Sequence, residues 1–188
     1  MTSTIDKNQF KCPAKSGKSN LKGFFYACCF VFLLSLSVFA QREKSVLLPV
    51  SEAKAVTKQC SRPSPEDFSE TWQPSNEEII EMEANFAKIK KLKVKKCCIR
   101  GAQIENPEKF YMQYVGIIVS GKKLIYINAF GKFGTIGFIQ NDDGSLTETT
   151  SDHWKKSAVI VCDGGNEWGV LYNPKTKKFF DLAINGIA

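Results

Sequence analysis

Histidine occurs once in the 188 residues, at position 153, and no two of the seven cysteines stand in a C-x-x-C spacing. Zinc sites are built from such spacings with partner histidines, so a zinc centre is not expected. No nucleophile motif surrounds any serine or cysteine, which takes away the usual sequence basis for a hydrolase. Acidic residues are scarce at the start: residues 1–22 hold Lys7, Lys11, Lys15, Lys18 and Lys22 against Asp6 alone, more than half of the formal charge of +7. The remainder is spread thinly along the chain, too little for a nucleic-acid surface. Hydrophobic residues at 43% and aromatics at 12% exclude a wholly disordered or collagen-like chain. One domain is expected at this length, because division in two would leave neither half much of a core.

Charge is missing altogether from Gly23 to Ala40, GFFYACCFVFLLSLSVFA. Behind a lysine-bearing segment this is the layout of a secretory signal, and Val38-Phe39-Ala40 offers suitable residues for cleavage before Gln41. Residues 1–40 are therefore expected to be a signal peptide on an exported, periplasmic or secreted protein. An uncleaved leader is the alternative, since eighteen apolar residues could just span a bilayer; the membrane would then be met only through the leader. Cys28 is not read as a lipidation site, because most of the apolar run follows it.

Four cysteines remain beyond the leader: Cys60, Cys97, Cys98 and Cys162. An even number in an exported domain suggests disulfides. Bonding the adjacent Cys97 and Cys98 would close a strained ring, so either Cys60 and Cys162 pair with those two, or they pair with each other. The Cys60–Cys162 pairing is preferred. It would anchor an irregular N-terminal segment and close a loop of about a hundred residues, stabilising by roughly 4–5 kcal/mol in the chain-entropy model.

Residues 41–73 carry Pro49, Pro63 and Pro65 with little periodicity and read as an extended N-terminal arm. The domain proper is placed at 74–188. Ser75 followed by Glu78 forms a capping box, and Ile79, Met82, Phe86 and Ile89 make the stripe of one amphipathic helix ending near Leu92. Glutamates in its first turns and lysines in its last favour that helix through the macrodipole. Phe110–Val119 and Leu124–Phe130, rich in aromatic and β-branched residues, read as a hairpin connected by Ser120-Gly121-Lys122-Lys123. Gly131 to Ser145 reads as a loop or irregular strand pair. Ala158–Cys162, Trp168–Tyr172 and Lys178–Ile184 read as a three-strand meander. The fold class is α+β, one amphipathic helix packed on an antiparallel sheet of about five strands.

Cys60-Ser61-Arg62-Pro63-Ser64-Pro65, Trp72-Gln73-Pro74-Ser75 opening a helix, Gln113-Tyr114-Val115-Gly116, Ile125-Tyr126-Ile127-Asn128, Trp154, Val161-Cys162-Asp163-Gly164-Gly165, Trp168-Gly169-Val170 and the terminal Asn185-Gly186-Ile187-Ala188 together resemble a family of small exported bacterial proteins. The resemblance spans residues 60–188. It implies the domain limits and export, and it brings no catalytic residues with it.

Several features carry candidate chemistry. His153, beside Asp152 and Trp154, could serve a small hydrolase-like enzyme with Asp152 or Asp163 orienting the imidazole; a surface histidine is the plainer reading. After Cys162, the backbone amides of Gly164 and Gly165 could form an anion nest with Asp163 as a polar contact and Trp168 beside it. A tight turn is the plainer reading there. Asn141-Asp142-Asp143-Gly144-Ser145 lacks the spacing of a calcium loop. Lys88 to Arg100 holds seven basic residues among thirteen, suited to an anionic surface or simply to a soluble helix end. With one helix for two apolar sheet faces, the second face must be covered by the arm 41–73 or left for a partner. We expect an exported, non-catalytic interaction module for a protein or cell-envelope component, with no cofactor, no metal and no nucleic acid.

Overall fold

The computed structural model describes residues 43–65, 68–95, 99–162 and 167–186. The leader, the Cys97-Cys98 pair and Asp163, Gly164 and Gly165 lie outside the described residues.

The longest apolar runs become the centre of the sheet. β3 (Tyr111–Val119) and β4 (Lys122–Phe130) pair antiparallel over their whole length. The turn between them is Ser120-Gly121, with φ of 49° and 72°. Both central residues at positive φ are what a two-residue hairpin turn matching the strand twist requires. β7 (Trp168–Asn173) pairs with β4, and β8 (Lys178–Ile184) with β7, so the expected hairpins are present. Two short strands complete the other edge of β3: β1 (Ser45–Leu47), which runs parallel to it, and β2 (Glu70–Trp72), antiparallel. The result is an α+β fold on a mixed six-stranded sheet. β5 (Ile136–Gln140) and β6 (Leu146–Thr150) form a separate two-stranded hairpin.

Residues 41–73 are more than an extended arm. They supply β1, β2, a 3-10 turn at Val50–Glu52 and the short helix α1 (Ala53–Thr57). Leu48, Ala53 and Val56 are buried against Val115, Ile117, Leu124, Tyr126 and Leu171, which are alternate residues on one face of the sheet. This segment therefore covers much of the second sheet face, the first of the two outcomes expected for it, while Tyr126 and Leu171 also border a groove beside β8.

The opposite face takes the larger core. Here α2 (Asn76–Ala84) starts at Ser75 with both hydrogen bonds of the capping box in place. The expected single helix to Leu92 does not form. Asn85 sits at φ −100°, ψ 3°, with its side-chain amide donating to the Glu81 carbonyl at 2.7 Å, and Phe86–Lys91 continues as a 3-10 helix. An asparagine that bonds the preceding turn competes with the helical ladder at that point. The apolar stripe survives the break, because Met82, Phe86 and Ile89 all remain buried against β3, β7 and β8.

One strand of the expected meander is absent. Residues 158–162 have no strand partner, and side chains take up their backbone groups. Ala158 N–H donates to Glu52 Oε2 (2.9 Å), Val159 N–H to Gln113 Oε1 (2.9 Å) and Val161 N–H to Gln59 Oε1 (3.1 Å). The Val159 carbonyl accepts from Asn128 Nδ2 (2.9 Å) and Gln59 Nε2 (3.1 Å), and the Val161 carbonyl from Asn185 Nδ2 (3.1 Å). Primary amides carry the same donor and acceptor as the backbone, so they replace a neighbouring strand here.

Candidate functional site

Beside those amides lies Arg62, 5% exposed. Its Nη1 donates to Asn185 Oδ1 at 3.0 Å, its Nη2 to Asn128 Oδ1, and both Nε and Nη2 to the Tyr126 hydroxyl at 3.3 and 3.1 Å. Gln113, the register partner of Asn128, accepts from the Asn128 amide at 3.1 Å. Among the described residues no carboxylate pairs with the guanidinium. A buried cation satisfied only by neutral oxygens keeps its field, which a low-dielectric surrounding screens little.

The Cys60–Cys162 disulfide, expected from position, closes this cluster at its outer side with a Cα–Cα distance of 4.6 Å, inside the usual span for such a bridge. Ser61, next to Cys60, accepts the Gly186 N–H at 2.7 Å. Arg62, Gln113, Asn128 and Asn185 were not singled out from the sequence as site residues. The available signal was confined to Gln113 and Asn128, polar residues inside otherwise apolar strand runs.

Along the free edge of β8 runs a groove of about 370 Å³. Tyr126 and Leu171 contribute to its floor, Pro63, Ser64 and Pro65 to one wall, and Lys91, Lys93 and Lys95 to the other. The lysine wall runs from Lys91, the last residue of the 3-10 helix, into irregular chain in which Val94 is buried in the core, and the three lysines are exposed. None of the three is ion-paired among the described residues. Lys90, by contrast, pairs with Glu108 at 3.6 Å.

On the other sheet face Glu83, buried at the end of α2, accepts at Oε1 from Ser45 Oγ (2.8 Å) and Tyr114 Oη (3.0 Å). This ties the helix to β1 and β3. Burial and then the Glu83 charge hold the Tyr114 phenol well above its ordinary range; a neutral, donating phenol beside a carboxylate is what this tie needs.

The remaining sequence candidates fare differently. His153 is exposed in a 3-10 turn (His153–Lys155), and among the described residues no hydrogen bond reaches its imidazole. Asp152 is turned to Lys155 Nζ at 2.7 Å instead, so the His153–Asp152 pairing of the hydrolase alternative is not formed. Trp168 is fully buried, its ring edge-on to Phe110 at 5.8 Å, and packs as a core residue. Among the described residues no group of histidine, cysteine and acidic side chains could hold a metal, and no helix is long and apolar enough to cross a membrane. No family model, curated protein or solved structure matches the chain.

Proposed function

We propose that the chain is an exported interaction module whose partner, a protein or a cell-envelope component, docks in the groove along β8. The observation that carries this reading is the groove itself: an apolar floor beside a row of three exposed lysines that no described acid neutralises. Leaving such a row unpaired gives no stability to the domain, whereas it does give a partner of opposite sign its steering field. Export rests on the basic leader followed by the uncharged run to Ala40. The membrane enters only if that leader stays attached.

The test replaces Ser64, exposed on the proline wall, with a photo-crosslinking amino acid in the native host. Leu146, 65% exposed on the separate β5–β6 hairpin, serves as the control position. A discrete adduct in the envelope fraction from position 64 and not from 146 is expected. No adduct from 64, or the same adducts from both, would overturn the reading. Sequencing the N-terminus of the recovered protein checks export at the same time, with Gln41 as the expected first residue.

A further inference from the structure

Resting on that docking reading, we propose that the groove takes an acidic, extended peptide segment of its partner, which adds as a short strand to the free edge of β8. Three observations converge on this occupant. The first is the lining: Phe179, Phe180, Asp181, Leu182 and Ala183 all face the groove. A bulge interrupts the alternation of side chains in β8, and these five successive residues border one groove together with Tyr126, Gly169 and Leu171 of the adjoining sheet face. β8 is the terminal strand of the sheet. Beyond its pairing with β7, no described backbone hydrogen bond reaches Lys178–Ile184. Such an edge offers main-chain donors and acceptors to an extended peptide, while the apolar floor beside it gives alternate side chains somewhere to go.

The second observation is charge. Lys91, Lys93 and Lys95 all border the groove and are exposed, and only Asp181 opposes them in the lining. Beneath the floor, Arg62 holds a further positive charge against the Tyr126 hydroxyl, and a Cβ at Gly169 in the lining would stand 3.0 Å from Arg62 Nε. An apolar groove with lysines on its wall and a guanidinium below focuses a positive potential on its occupant.

The third is the bulge. Asp181 stands at φ 51°, and the β7–β8 register shifts between Gly169 and Leu171. A bulged edge resists open-ended sheet pairing. A short peptide held by flanking walls fits this edge, whereas a second copy of the whole strand does not.

Fluorescence anisotropy with a labelled peptide of alternating Glu and Val residues tests the proposal on the oxidised protein. The same peptide with Lys for Glu, and one with every second amide N-methylated, complete the set, alongside vesicles containing phosphatidylglycerol. Saturable binding of the acidic peptide alone is expected, weakened about tenfold or more by the triple variant Lys91→Glu, Lys93→Glu, Lys95→Glu and by N-methylation. Circular dichroism of the variant shows that the fold is retained, since all three positions are exposed. Equal binding of the acidic and basic peptides, indifference to N-methylation, or binding to the vesicles without the peptide would each overturn strand addition. If the acidic peptide fails while the position 64 adduct forms, this inference falls and the docking reading stands.

Discussion

Gly169 shows how closely single residues are set around the buried arginine. A Cβ there would stand 2.5 Å from the Tyr126 hydroxyl and 3.0 Å from Arg62 Nε, and both groups are fixed by the bonds they share. Gly169→Ala is expected to destabilise by about 1–3 kcal/mol, the usual cost of overpacking, measured by urea denaturation. Arg62→Met keeps the apolar stem but leaves Asn128 Oδ1 and Asn185 Oδ1 without their donor. The expected loss is about 2 kcal/mol or more, and an unchanged midpoint would contradict the role assigned to the network. Tyr114 makes a pH-dependent prediction. Because its phenol is held well above the ordinary value of 10.0, the native state keeps a proton that the unfolded chain gives up in alkali. The stability this represents is complete below about pH 10 and is lost as pH rises towards the native value. Tyr114→Phe should lower stability at neutral pH by about 1.5–3 kcal/mol, for the bond to a carboxylate, and flatten the alkaline decline; a decline equally steep in the variant would contradict this assignment.

Elements were legible where their signals are local. Ser75 with Glu78 marks the start of α2, and the bonds of that box are formed; Ser75→Ala should cost about 1 kcal/mol by thermal denaturation. The β3–β4 hairpin is equally local, with β-branched runs flanking a turn that holds a glycine. Legibility failed where a distant side chain decides. The run Ala158–Cys162 has strand chemistry, yet its partners are Glu52, Gln59, Gln113, Asn128 and Asn185, brought from five other places in the chain. No window of sequence contains that information. Asn85 ends α2 in the same way, through one side-chain bond that an apolar stripe does not report. The groove escaped reading because it is an edge with two walls from remote segments, though the lysine row itself stood out.

At the scale of the molecule, the N-terminal segment is clipped to the sheet by the disulfide and by Arg62. The bridge spans a sequence separation of 102, and both cysteines are exposed, so a reductant reaches them without unfolding. Reduced protein, or Cys60→Ser with Cys162→Ser, should be less stable by about 4–5 kcal/mol in the chain-entropy model; equal denaturation midpoints would contradict the clip. The functional reading depends on one structural claim, that residues 48–57 cover the second face of the sheet at Val115, Ile117 and Leu124 and leave the β8 groove, floored by Tyr126 and Leu171, for a partner. Methyl nuclear Overhauser effects in the oxidised protein test it most directly. The expected result is cross-peaks from Ala53 and Val56 to Val115, Ile117 or Leu124. Their absence, with those sheet methyls in contact with solvent, would contradict it and return the open face as the place where a partner binds.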